Sequence, residues 1–340
     1  MIKHKNTYSR WSFLRLSAIA GAAVSLSPLF SFADEVNPFA PGPNPVAAGK
    51  RIGIIGLDTS HSEVFTKMIN SGEVAGGYKV VAAYPHGSPD IQEALDRKPG
   101  IITALKNMDV EIVASIEALL KKVDVVLLET VDGRPHYEQA LPVLKAGKRM
   151  FIDKPVAADL ADAKKIFAAS RKYNSPIFSS SALRFDATVQ KVVNGSIGKV
   201  MGADVYTPAV IESSHLDMAW YGIHGVEMLF TVMGPGCKSV SRTYQEGTDL
   251  LVGTWEDGRI GTVRGIRTGS ADIAGTAFGD KGIASLGPFS SYVPLVNKII
   301  SFFDTGVPPV SEAETLEIFT FMHAADMSRK QNGKLIPITK

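Results

Sequence analysis

The stretch Arg51 to Asn70, RIGIIGLDTSHSEVFTKMIN, constrains the fold of this chain more than any other. Ile52, Ile54 and Ile55 form a β-branched apolar run too short for a helix, which predicts a buried strand. Gly56-Leu57-Asp58-Thr59-Ser60 supplies a turn, and Val64, Met68 and Ile69 then recur as one face of a helix would require. Strand, glycine turn and helix open a dinucleotide-binding βαβ unit, with the helix N-terminus offered to an anion. The turn departs from the G-x-G-x-x-G fingerprint, because its three glycine positions are Gly56, Asp58 and His61. A carboxylate at Asp58 is expected to cap the helix, placing negative charge where a phosphate would sit. The second strand, Lys79–Tyr84, ends in Tyr84-Pro85-His86, with no acid there for the ribose hydroxyls. A turn of this kind that binds no dinucleotide therefore stays open as a reading.

The 340 residues allow two domains, and 45% apolar with 21% charged residues is an ordinary globular composition. A net charge of +2 points to neither nucleic acid nor an anionic membrane surface. The single Cys237 rules out an intramolecular disulfide and a cysteine-rich zinc site. Residues 1–33 read as a signal peptide: Lys3, His4, Lys5, Arg10 and Arg15, then apolar Leu16 to Phe30, then Ser31-Phe32-Ala33. The apolar run is shorter than the ~20 residues of a membrane span. Ser9 to Arg15 resembles a twin-arginine signal with Trp11 in place of one arginine, so twin-arginine and Sec routes both remain. Export to the periplasm or beyond is the expectation, with no membrane span in the mature form. Residues 34–50 carry four prolines and no periodicity and read as a linker.

From Arg51 to about residue 156, strands alternate with helices, which implies a parallel sheet wound on both faces. The helix expected over residues 91–110 is interrupted at Pro99-Gly100. Strand Asp124–Glu129 and strand Arg149–Ile152 end in Thr130-Val131-Asp132-Gly133-Arg134-Pro135-His136 and in Asp153-Lys154-Pro155. In such sheets ligands bind beyond the carboxyl ends of the strands. Residues 157–340 add strands at Val200–Tyr206, Ser239–Tyr244, Asp249–Trp255, Ile260–Ile266 and Gly282–Leu286. Helices are expected at Leu160–Arg171, Asp186–Asn194, Ile223–Met233 and Glu312–Ser328.

The order of these motifs resembles the glucose–fructose oxidoreductase / inositol dehydrogenase / MocA family. The quoted pieces are Thr130…His136, Ala146-Gly147-Lys148-Arg149-Met150, Asp153-Lys154-Pro155, Arg184-Phe185-Asp186, Gly195 to Val200 and Gly222-Ile223-His224-Gly225-Val226-Glu227. The resemblance implies an N-terminal Rossmann doubly wound parallel sheet and a C-terminal α/β domain for substrate and oligomerisation, built on a large, mostly antiparallel open sheet. It implies NAD or NADP as cofactor, a carbohydrate-like small molecule as substrate, and a homo-oligomer.

Lys154 and His224 are the candidate catalytic residues. Hydride leaves a carbinol carbon only as the hydroxyl proton is withdrawn, so a positioned acid/base is required. The resemblance places the lysine of Asp153-Lys154-Pro155 on the reacting hydroxyl, and a neutral His224 could take the proton near pH 7. Gly56, Asp58, His61, Tyr84, Thr130, Asp132, His136 and Lys154 are the candidate cofactor contacts; Arg184, Trp220, Tyr221 and Glu227 are the candidate substrate contacts. His61 and His136 could each instead cap or pack. The family's aspartate four residues before the histidine is Trp220 here, which could stack on a sugar ring. A metal site from His61, Asp58 and His215 has no recognised spacing, and none is assigned.

Two functions follow. One is a nicotinamide-dependent oxidoreductase acting on a sugar, polyol or glycoside, its cofactor held and recycled outside the cytoplasm. The other is a non-redox sugar-binding or lyase-type protein with cofactor affinity weakened or lost, which Asp58, Tyr84 and Trp220 favour.

Overall fold

The computed structural model describes residues 49–338. The signal-peptide reading and nearly all of the linker lie outside the described residues. The first sheet collects β1 (Arg51–Ile55), β2 (Lys79–Tyr84), β3 (Glu111–Ile112), β4 (Val125–Leu128), β5 (Met150–Ile152) and β6 (Ile177–Ser179). Its order is β3-β2-β1-β4-β5-β6, with every pairing parallel. Helices α1 (Ser60–Ser71), α2 (Gln92–Lys106), α3 (Ile116–Leu120), α4 (His136–Lys145) and α5 (Leu160–Lys172) connect the strands. All four residues of β4 are buried, because helices cover both faces of such a sheet. The strand order reverses between β1 and β4, so the loops after these two strands part and leave a crevice at their carboxyl ends.

Two expectations need correcting. The sixth strand lies beyond residue 156, so the first sheet runs to Ser179. Its signal, Ile177-Phe178-Ser179 after Ser175-Pro176, is too short to stand out. Helix α2 also continues through Pro99. Proline forfeits one backbone hydrogen bond, but Ala94, Ile101 and Leu105 bury one face, and that packing holds the helix together.

The second sheet follows a 3₁₀ turn at Ala182–Phe185 and α6 (Ala187–Val193). It contains β7 (Val200–Pro208), β8 (Cys237–Gln245), β9 (Thr248–Trp255), β10 (Ile260–Ile266), β11 (Ala274–Gly279), β12 (Ile283–Leu286) and β13 (Ile336–Pro337). The order is β12-β11-β7-β10-β9-β8-β13, antiparallel except for β10 on β7. The helix α7 (Ile223–Met233) and the C-terminal α9 (Glu312–Lys330) cover one face. On the other face Ile260, Phe278 and Ile283 are exposed, aligned in one row through Gly202.

Helix α8 (Val293–Thr305), absent from the sequence reading, returns to the first sheet. Leu295, Val296, Ile299, Ile300, Phe302 and Phe303 join Ile52, Phe65, Phe151 and Phe178 in one core, each such burial contributing about 1.5–3 kcal/mol. Its docking brings Tyr292, one residue before the helix, to the crevice.

Candidate active site

A cavity of about 330 Å³ lies at the carboxyl ends of the first sheet, lined by Thr59, Ser60, His61, Val131, Asp153 and Lys154 on that side. Ser180, Trp220, Tyr221, His224, Phe289 and Tyr292 line the other side.

The turn after β1 is built for close approach. Gly56 has φ +86° and donates its N–H to Tyr84 O at 3.0 Å, and a Cβ there would meet Thr130 Oγ1 at 2.3 Å. Asp58 does not cap α1. Its carboxylate accepts from Ser88 N at 2.6 Å and Val131 N at 2.9 Å, tying together the loops after β2 and β4. Burial raises its pKa, with those two hydrogen bonds acting the other way. The cap is Thr59, whose Oγ1 lies 3.5 Å from His61 N. The charge expected to block an anion at the helix N-terminus is thus turned aside.

Most of the Thr130–His136 loop is internal scaffolding. Thr130 Oγ1 donates to Gln139 at 2.8 Å, and the His136 ring nitrogens lie 2.8 Å from Thr130 O and 3.1 Å from Val156 O. Burial lowers the pKa of His136. Asp132 is buried; burial pushes its pKa up, but hydrogen bonds from Arg134 and Ser88 outweigh this and hold it below the ordinary value. His215 Nε2 accepts from Gly133 N at 3.0 Å. Tyr84 ends β2 with its ring 5.2 Å from that of His86.

His61 neither caps nor merely packs. Its Nδ1 lies 2.8 Å from Asp153 Oδ2 and its Nε2 3.1 Å from the Tyr292 hydroxyl, while its ring stacks on Phe65. Asp58 and His215 bond elsewhere, so the trio weighed for a metal does not converge. Instead His61 meets Asp153 and Glu129, the residue just past β4. Glu129 is fully buried and neither of its carboxylate oxygens has a hydrogen-bond partner; Asp153 Oδ1 lacks one too. Burial and the neighbouring Asp153 drive the pKa of Glu129 well up. For Asp153 burial also acts upward, but the adjacent His61 and Lys154 outweigh it and the net direction is down. Burial and the Asp153 charge push Tyr292 up to about 12, so it remains a phenol.

Lys154 follows, 8% exposed, with Nζ 4.0 Å from Asp153 Oδ2 and a cis bond to Pro155. Across the cavity His224 Nδ1 lies 2.7 Å from Ser181 Oγ. Burial, then the nearby Lys154 and His61, lower the His224 pKa well below its ordinary value, so the imidazole is neutral. Trp220 and Tyr221 share this wall, with the Trp220 ring 5.0 Å from His215 and Tyr221 partly open to solvent. Arg184 and Glu227 do not line the cavity. Arg184 bonds Glu314 at 2.6 Å and Glu227 at 3.4 Å, and Glu227 also accepts from Ser180 and Ser181. The cavity therefore gathers His61, Lys154, Trp220, Tyr221 and His224 from the sequence candidates. Tyr292, a lone tyrosine 231 positions from His61, joins them unforeseen, and Glu129, read only as a strand residue, lies beside His61 and Asp153 behind the lining.

Residues 50–180 match the GFO/IDH/MocA family, described as an oxidoreductase family with an NAD-binding Rossmann fold. The match covers the whole first sheet, from β1 to β6. Among curated relatives, the chain is similar to a myo-inositol 2-dehydrogenase of Thermotoga maritima, 28% identical over 218 residues, covering 59% of each chain. An uncharacterized oxidoreductase of Escherichia coli is 29% identical over 111 residues, covering 29% of this chain and 32% of that one. The chain thus spans between about a third and three-fifths of the length of the curated relatives it matches. A probable dehydrogenase from Thermotoga maritima superposes with TM-score 0.69 at 20% identity, over 85% of this chain and 98% of that one. A scyllo-inositol dehydrogenase from Lactobacillus casei, solved with NAD(H) and scyllo-inositol, gives 0.69 at 16% identity, over 85% and 99%. These two likenesses carry the fold across both sheets.

Proposed function

We propose that the chain is an NAD(P)-dependent oxidoreductase acting on a sugar, polyol or glycoside. The observation that carries this is one cavity shared by an open helix N-terminus, Lys154 and a neutral His224. The residues fit a dinucleotide at two places. Thr59 and Ser60 would hold the pyrophosphate, since Asp58 spends its charge on the backbone N–H groups of Ser88 and Val131. Lys154 would lie beside the nicotinamide. No acid stands at Tyr84-Pro85-His86 to select the ribose, which leaves NAD and NADP both compatible.

When bound, the nicotinamide would supply the hydride acceptor. Lys154 then donates a hydrogen bond to the substrate oxygen on which charge develops, and desolvation in the cavity strengthens that contact. His224 takes the hydroxyl proton; Ser181 holds Nδ1 and leaves Nε2 for the cavity. Trp220 and Tyr221 offer ring faces to a carbohydrate. The export reading requires the nucleotide to stay bound and to be recycled within the catalytic cycle. The row of Ile260, Phe278 and Ile283 favours a homo-oligomer that covers the open sheet. Among the described residues, no helix is long and apolar enough to cross a membrane.

One observation favours a non-redox sugar site instead: a buried carboxylate replaces the second fingerprint glycine, with no ribose acid beyond it. The deciding experiment denatures protein purified without added nucleotide and measures released dinucleotide per chain. Near-stoichiometric NAD(H) or NADP(H), with cyclitol- or sugar-dependent reduction, is expected. No nucleotide and no binding on titration would overturn the redox reading.

A further inference from the structure

The floor of the cavity holds a side-chain cluster that hydride transfer does not use. His61, Glu129 and Asp153 each present a ligand atom, all within 4.8 Å of one another. Three of the four carboxylate oxygens in this group are buried without a hydrogen-bond partner, both of them on Glu129 and one on Asp153. Burying polar oxygens unpaired is costly, and burying charge without compensation more so. The charged or titratable groups that act on the cluster are Lys154, Asp58, His136, Tyr292 and His224, and the cation placed against it is Lys154, with Nζ 4.0 Å from Asp153 Oδ2. A proton on Glu129 would restore neutrality, yet its oxygens would still have no partner.

We propose that His61, Glu129 and Asp153 bind one divalent transition-metal ion of the Mn²⁺, Fe²⁺ or Zn²⁺ class. One imidazole and two carboxylates form the donor set these ions accept. The ion supplies the partner that the orphaned oxygens lack. Tyr292 completes the arrangement. With Nδ1 on the metal, His61 donates its Nε2–H to the Tyr292 oxygen at 3.1 Å, which fixes the tautomer and the ring plane, as acceptors behind metal-bound histidines do. His61 and Asp153 line the cavity, which gives the ion an entry path and leaves remaining coordination positions facing the substrate space. This site goes beyond the oxidoreductase reading and needs no nucleotide.

The test is calorimetric titration of the purified full chain, stripped with a chelator, using MnCl₂ and separately ZnCl₂. One ion per chain is expected, with affinity reduced at least ~10-fold in Glu129→Gln and in His61→Asn. Wild type should also gain thermal stability on adding the ion, and Glu129→Gln should not. Absence of saturable binding at millimolar ion would overturn the proposal, as would wild-type affinity retained in both variants. Nucleotide titration of the same stripped samples reports separately on the oxidoreductase reading.

Discussion

Two buried clusters of charge in this molecule are built on opposite terms. Around Arg242, whose side chain is fully buried on β8, the guanidinium reaches Asp217 at 2.8 Å, Asp326 at 2.7 Å and Asp249 at 2.9 Å. Arg267 bonds Asp249 and Arg329 bonds Asp217, each at 2.5 Å, so three cations meet three carboxylates. Tyr244 packs among the three guanidinium groups, closest to Arg329 at 3.6 Å. Only Arg242 Nε and Asp249 Oδ1 are left over. At the cavity floor two carboxylates face one lysine, and three of their oxygens have no partner. The first cluster closes on itself and joins α9 to the second sheet. The second leaves bonding capacity unspent beside a cavity, which is how a site differs from a scaffold.

The largest expected effect falls on the open cluster. Lys154→Ala should lower kcat by ~10²–10⁴ while near-UV circular dichroism stays that of the wild type. Near-normal turnover would remove Asp153-Lys154-Pro155 from the reaction centre. In the closed cluster the corresponding cut is structural. Arg242→Met takes the ion-pair partner from Asp326, leaves Asp249 to Arg267 alone and should cost about 3–5 kcal/mol, read by chemical denaturation. A loss under about 1 kcal/mol would mean that Arg267 and Arg329 compensate and that the network is not a closed unit.

Much of the scaffold is legible in the sequence because local signals agree with the fold. Helix α7 runs Ile223–Met233 as read, its apolar face bounded by Gly222 and Gly234. The β9–β10 hairpin turns at Gly258 with φ +86°, as Glu256-Asp257-Gly258 demands. Helix α8 escapes notice because Val293-Pro294 reads as a break, although proline at the first turn suits a helix start. The site is less legible than the scaffold. Lys154 and His224 stand out through motif position. Glu129 looks like any strand-end residue until β5 and α1 close over it, and Tyr292 reaches His61 only because α8 docks on the first sheet. Asp58 shows the same limit: its residue type fits a cap, but the chain presents Ser88 and Val131 to it instead.

A pH titration separates the two regions further. Burial lowers the pKa of His215, beside the Asp132 loop, from 6.5 to about 4. That contribution to stability is complete above 6.5 and is lost as pH falls towards 4. Burial, then Asp217, raises Asp326 in the closed cluster from 3.8 to about 6. That contribution is complete below 3.8 and is lost as pH rises through about 6. The two slopes oppose each other, each at most about 1.4 kcal/mol per pH unit. His215→Gln should therefore shift the slope of unfolding free energy towards stability falling as pH rises from 4 to 6. Asp326→Asn should shift it the opposite way. Variants that tilt in the same direction would break the assignment of either group.

The smallest expected difference concerns helix ends. On the scaffold, Asp159 caps α5 by accepting from Asp162 N at 2.8 Å, a full hydrogen bond. At the cavity, Thr59 Oγ1 stands 3.5 Å from His61 N, barely within reach, and Asp58 bonds elsewhere. Asp159→Ala should cost about 1 kcal/mol, and Thr59→Ala only a few tenths. The reason is the unused N–H groups: a helix end that is already weakly satisfied loses little when its cap is removed, and the same groups remain free for an anionic ligand. Equal losses from the two substitutions would show that α1 is capped as firmly as α5, and the pyrophosphate placement at Thr59 and Ser60 would fall with that result.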